Sequence, residues 1–205
     1  MKKLLVLLAL VSTQVFAWDQ RAPLPQQQCV VHNPYGFATT ARQATPICRE
    51  AYFVAYDAPV KIPVYVAYTL LPQNALGCFP RTNAFVADQS LNGTGARPDD
   101  YAGTGYDKGH AAPDGDLSWS QIVEYESFLM TNMYPQHGSL NRGIWKLLET
   151  SVRGWAVQRN QALTVYVGGI YSAGDKVIGN GVVVPHAYYK IVINQATGET
   201  AGWMF

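Results

Sequence analysis

Neither sign of charge is in excess in this chain: its 205 residues hold 15 Lys and Arg against 14 Asp and Glu. A protein that coats nucleic acid usually shows a clear basic excess. The balance favours turnover of a ligand, which needs only a local positive patch, over stoichiometric coating of a polyanion. Cysteine is scarce too. Cys29, Cys48 and Cys78 include no Cys-x-x-Cys pair and have no His at ligand spacing, which argues against a cysteine metal site. They permit one disulfide in three pairings, of which Cys29–Cys48 closes the shortest loop and would staple the N-terminal segment. Beyond the first residues no stretch is apolar for the roughly 20 residues that cross a bilayer. Internal repeats, low-complexity tracts and charge runs are also missing, so the chain reads as a single mixed α+β domain.

Met1-Lys2-Lys3, the short apolar run Leu4–Val11 and the small-residue site Val15-Phe16-Ala17 have the form of a signal peptide cleaved after Ala17. The competing reading, an uncleaved membrane anchor, needs a longer apolar run. Removing Lys2 and Lys3 would leave 13 basic against 14 acidic residues, a net of −1. The expectation is an exported protein, secreted or periplasmic, in an oxidising compartment that permits a disulfide. The chain beyond Ala17 is long enough for one domain with a sizeable core.

The stretch 18–50 is rich in Pro, Gln, Asn and Thr without clear periodicity and reads as an irregular arm, with the domain proper over 51–205. Residues 51–56 and 63–70 are β-branched and aromatic, the composition of strands, with a turn at Asp57-Ala58-Pro59. Residues 163–169 and 187–193 read as buried strands, with a turn at Gly179-Asn180-Gly181. Between 92 and 105 lies a loop dense in Gly, Asp and Pro that leads to His110. Ile144, Trp145, Leu148, Val152, Trp155 and Ala156 recur at three- and four-residue steps, predicting a helix from Asn141 to about Arg159.

Chemistry-bearing residues concentrate between Arg81 and Glu149. His110 titrates near neutrality and can take a proton from water, and Gly109 before it has no Cβ to obstruct a substrate. Alone, it could equally be a histidine bonded for structure. Asn141 offers a neutral carbonyl oxygen, a hard ligand suited to Mg²⁺, or an ordinary N-cap. Glu149 lies eight residues on, about 12 Å along a continuous helix, too far for both to hold one ion directly. Asn132 reads as a residue that orients the His110 loop or meets a phosphate, against a plain turn asparagine.

Tyr106-Asp107-Lys108-Gly109-His110-Ala111-Ala112-Pro113 resembles the Asp-Arg-Gly-His motif of the DNA/RNA non-specific endonuclease family. Asn132-Met133-Tyr134-Pro135-Gln136 and Leu140-Asn141-Arg142-Gly143-Ile144-Trp145 through Glu149 match that family in order and approximate spacing. The resemblance runs from roughly Tyr65 to Phe205, where family members usually continue with another strand and helix. It implies an α+β chain with the ββα-metal nuclease fold, an antiparallel sheet core carrying a long metal-site helix. It also implies an endonuclease that cleaves DNA and RNA with Mg²⁺ or Mn²⁺. On that resemblance His110 is the general base, Asn141 the metal ligand, and Glu149 the group that holds metal-bound waters. Asn132 keeps the site together, and Arg81 and Lys108 bind substrate phosphate. Most members carry Arg where Lys108 stands; lysine keeps the charge but lacks the two-pronged fork. Arg142, Lys146 and Arg153 could line a groove for the nucleic-acid backbone or equally form a solvated helix face, whereas His137 and His186 fall outside the motifs and read as structural. Two rivals stay open: a non-catalytic nucleic-acid or surface binding module with the same fold, and a phosphodiesterase for another diester. The biological role, the preferred metal, the oligomeric state and a protein inhibitor as partner are open as well.

Overall fold

Stretches of β-branched and aromatic residues fold as the strands their composition favours. The computed structural model describes residues 23–24, 26–36, 38 and 42–205, so the expected signal peptide over 1–17 lies outside the described residues. In chain order β1 (Thr45–Cys48), β2 (Tyr52–Asp57) and β3 (Ile62–Leu70) come first. They are followed by β4 (Tyr106–His110), β5 (Met133–His137) and β6 (Leu163–Ile170). A short pair, β7 (Val177–Ile178) and β8 (Val182–Val183), precedes β9 (Ala187–Asn194) and β10 (Thr200–Met204). The helices are α1 (Asp114–Leu117), α2 (Gln121–Ser127) and α3 (Lys146–Gln158).

Six strands make one antiparallel sheet in the order β1-β2-β3-β6-β9-β10. Its main core face carries Tyr52, Val54, Tyr56, Val66, Tyr68, Val165, Val167 and Val192, all buried. Phe53, Ala55, Tyr65 and Ala67 alternate onto the opposite face, where they pack with Cys29 and Cys48. With both faces covered, β2 is buried along its whole length. The stretch read as an irregular arm thus supplies an edge strand at its end. At four residues, β1 is too short to show a period, and its pairing with β2 fixes it. The disulfide joins Cys29 to Cys48, with Cα atoms 5.6 Å apart, and Cys78 is free and exposed. Closing so short a loop stabilises the fold by about 3 kcal/mol in the chain-entropy account.

Neighbouring strands β3 and β6 are separated by residues 71–162, and that excursion holds β4, β5, α1, α2 and α3. β4 and β5 pair antiparallel, with His110 opposite Met133, and α3 follows to complete a ββα unit. The helix expected from Asn141 is broken. Leu140–Trp145 winds as a wider π-type turn, and Gly143 within it (φ −101°, ψ −115°) leaves the helical region before α3 starts at Lys146. Glycine tolerates such a break because it has no Cβ. Trp145, Leu148, Val152 and Ala156 face the core as the periodicity predicts, but Ile144, beside the break, is exposed.

Candidate active site

A cavity of about 520 Å³ opens between the His110 strand and α3, lined among others by Arg81, Lys108, His110, Asn141, Glu149 and Arg153. Arg142 and Lys146 also line it, so the basic residues read from sequence as a groove converge here. Asn132 lies behind the wall, and His137 and His186 lie elsewhere. Each of those histidines is exposed and has a local partner, Ser139 and Asp175 respectively.

His110 ends β4 and is buried. Its ring meets Phe128 edge-on at 5.0 Å between centroids and Phe85 at 5.7 Å. Nε2 is shut from solvent with no hydrogen-bond partner among the described residues, which leaves Nδ1 as the nitrogen able to serve the cavity. Burial lowers the imidazole pKa to about 4; Asp114 opposes that fall and Arg81 adds to it. The ring is therefore neutral at neutral pH and keeps a lone pair to offer. Gly109 departs from expectation. A Cβ there would collide with the Gln136 side chain from β5, so the glycine admits a neighbouring side chain and not a substrate.

Asn132 is fully buried and spends its amide on backbone. Its Oδ1 accepts from the Ala112 N–H at 2.9 Å, and its Nδ2 donates to the carbonyls of Ala112 and Ser127 at 2.8 and 2.9 Å. The side chain fixes the segment just after His110 and has no face left for a phosphate. Asn141 is partly exposed on the π-type turn, and its Nδ2 donates to Asp107 Oδ2 at 3.0 Å. That bond orients the amide and leaves Oδ1 as its acceptor atom. Asp107 is gripped by Arg142 through two bonds of 2.8 Å, which hold its carboxyl below the usual range.

Glu149 lies on α3, on the far side of the Gly143 break from Asn141. The separation expected along one continuous helix therefore does not apply, and both side chains line the same cavity. Burial lifts the Glu149 carboxyl to about 7; Lys190 and Arg153 oppose that rise, and Asp116 adds to it. Lys108 holds its ammonium 5.0 Å from the Phe85 ring centre and 5.9 Å from that of Tyr101. Arg81 pairs with Asp114, bonds Asn83 at 2.7 Å and lies over the Phe128 ring.

The motifs gave no hint of two groups behind the cavity. Asp116 is buried and bonded to Arg153 at 2.7 Å and to the Tyr68 hydroxyl at 2.9 Å. Lys190 is fully buried on β9. A lysine at an inward position of an alternating apolar strand was the signal available for it. Among the described residues no group of three or more His, Cys, Asp or Glu could hold a metal ion.

The profile of the DNA/RNA non-specific endonuclease family matches residues 31–205. The chain belongs to the DNA/RNA non-specific endonuclease family. Relatives of this endonuclease-family chain include a protein named "Nuclease" from Nostoc sp., 31% identical over 89% of this chain and 67% of its own length. "Endonuclease G, mitochondrial" of Homo sapiens is 31% identical over 73% of this chain and 54% of its own length. "Nuclease 1, mitochondrial" of Schizosaccharomyces pombe is 30% identical over 72% and 51%. The chain thus spans about half the length of the two eukaryotic relatives and two thirds of the Nostoc protein. A solved complex of endonuclease G with its inhibitor superposes with a TM-score of 0.72 at 24% identity, over 88% of this chain and 79% of that one. It shares the fold, and the ββα-metal architecture expected from sequence is the one present. The expected secreted or periplasmic location is overturned by relatives whose names place them in mitochondria.

Proposed function

We propose that this chain is a metal-dependent endonuclease that hydrolyses phosphodiester bonds of DNA and RNA with little sequence preference. One observation carries the reading: a single cavity gathers a neutral buried histidine, an oriented asparagine carbonyl, a carboxylate and several cations. His110 takes a proton from a water molecule as its oxygen attacks phosphorus, and the bond to the 3′ oxygen breaks to leave a 5′ phosphate. Arg81, Lys108 and Arg153 bind phosphate oxygens and offset the negative charge that grows there. Asn132 keeps the His110 segment in place.

The cavity's donors fit a hard divalent cation such as Mg²⁺ or Mn²⁺, which takes oxygen ligands and retains water. Asn141 Oδ1 would be the protein ligand, and Glu149, whose side chain lines the same cavity, would hold the ion's waters. When bound, such an ion supplies positive charge beside the phosphate and an acidified water for the departing oxygen. A protein inhibitor belongs to this reading as a partner, supported by the solved endonuclease G of like fold that was captured with one.

Digestion of supercoiled plasmid and of RNA with Mg²⁺, and with excess EDTA, tests the reading. Cleavage of both substrates only with the metal supports it. Full activity in EDTA removes the metal, and no cleavage under any condition leaves a binding module.

A further inference from the structure

The inward positions of β9 are Tyr188, Lys190, Val192 and Asn194, all buried, whereas Tyr189, Ile191 and Ile193 face outward. A lysine in that row is out of keeping with its neighbours, and such local violations concentrate where function demands them. Its Nζ lies 3.7 Å from Glu149 Oε1 and 4.9 Å from the centre of the Trp145 ring. Neither Nζ nor that oxygen has a hydrogen-bond partner among the described residues. Arg153, the other cation of this cluster, is bonded to Asp116. Lys190 is thus the cation that faces Glu149 from the core, while the cavity faces it from the other side.

We infer that Lys190 is a positioning residue that holds the Glu149 carboxylate at the wall of the cavity. The inference rests on the nuclease reading of that cavity. A buried ion pair kept only for the fold could be replaced by apolar side chains at little cost. A pair kept for Glu149 could not be replaced without changing what Glu149 does.

A double-mutant cycle of Lys190→Met and Glu149→Gln in the full chain separates these roles, with kcat and KM on duplex DNA as one readout. Mn²⁺ binding without DNA, measured by electron paramagnetic resonance, is the other. Lys190→Met is expected to lower kcat and Mn²⁺ affinity by roughly 10–100-fold with KM nearly unchanged. In the Glu149→Gln background the same change should have almost no further effect. Equal effects in both backgrounds, or a folded Lys190→Met protein that matches wild type, would overturn the inference. If Lys190→Met does not fold, Lys190→Arg replaces it, because it moves the charge without removing it. Its effect must likewise vanish in Glu149→Gln, and persistence there counts against the inference. A wild-type chain that neither cleaves DNA nor binds Mn²⁺ sinks the nuclease reading and this inference together. One that does both, with Lys190 silent, sinks only the inference.

Discussion

Asn132 grips the backbone of Ala112 at both of its polar groups, accepting from the N–H at 2.9 Å and donating to the carbonyl at 2.8 Å. Ala112 stands two residues past His110, so this clamp sets where β4 ends and how the histidine enters the cavity. Asn132→Ala leaves three buried backbone groups unpaired, the N–H and carbonyl of Ala112 and the carbonyl of Ser127, each costing ~1–3 kcal/mol. We therefore expect a clearly lowered urea midpoint together with a fall in kcat, while KM holds. A stable variant that loses only KM would show that Asn132 touches substrate after all.

His110→Ala should lower turnover by about 10²–10⁴-fold, the range for a lost general base, with little loss of DNA binding. Near-normal nicking of plasmid by the folded variant removes His110 from the mechanism.

The His110 ring should stay neutral until the pH falls to about 4. Its folded-state pKa lies below the ordinary value of 6.5, so between those limits the unfolded chain binds more protons. Stability then falls as pH drops through that window, by roughly 3 kcal/mol from this group. His110→Gln should flatten the slope of stability against pH there. Arg81→Ala should raise the histidine's pKa, because Arg81 helps depress it. A ring that titrates near 6.5 by NMR contradicts the burial argument.

Lys108 lies against Phe85 and Tyr101 with its ammonium at the cavity. Lys108→Ala should raise KM on duplex DNA, whereas Lys108→Arg should preserve or raise activity by adding a two-pronged contact. An unchanged kcat/KM in Lys108→Ala would mark a lysine that serves only its aromatic neighbours.

Asp107 holds the Asn141 amide in one orientation. Asp107→Ala should raise the Mg²⁺ concentration needed for half-maximal rate by roughly 10–100-fold, the usual effect of losing a group that orients a ligand. Added metal should restore that variant but not Asn141→Ala. Equal metal dependence of wild type and Asp107→Ala would mean that the bond orients nothing.

Composition alone was enough to find β2, β3, β6 and β9, because their residues are β-branched or aromatic and buried. It missed β4 and β5. Tyr106–His110 and Met133–His137 carry Gly109 and Pro135, which ordinarily weaken a strand, and their pairing is set by the residues around them. Motif spacing brought Arg81, Lys108, His110, Asn141 and Glu149 to notice, and the fold gathers those five in one cavity. The break at Gly143 was not legible, since the apolar periodicity begins at Ile144, just past it, and says nothing of the turn before. Lys190 and Asp116 were missed because their partners lie far away in the chain; the inward place of Lys190 in an alternating strand marks it as unusual but does not say what it meets.

Leu70 at the end of β3 stands opposite Leu163 at the start of β6. The excursion that carries the cavity therefore leaves and rejoins the sheet at one point, like a cassette seated between two contacts. Substitutions within 71–162 can rewrite the chemistry while every strand pair of the sheet persists. The sheet is then a chassis on which variation in one continuous stretch of gene can try new reactions. Lys190 and Tyr68, which reach from the sheet to Glu149 and Asp116, are places where chassis and cassette have to change together.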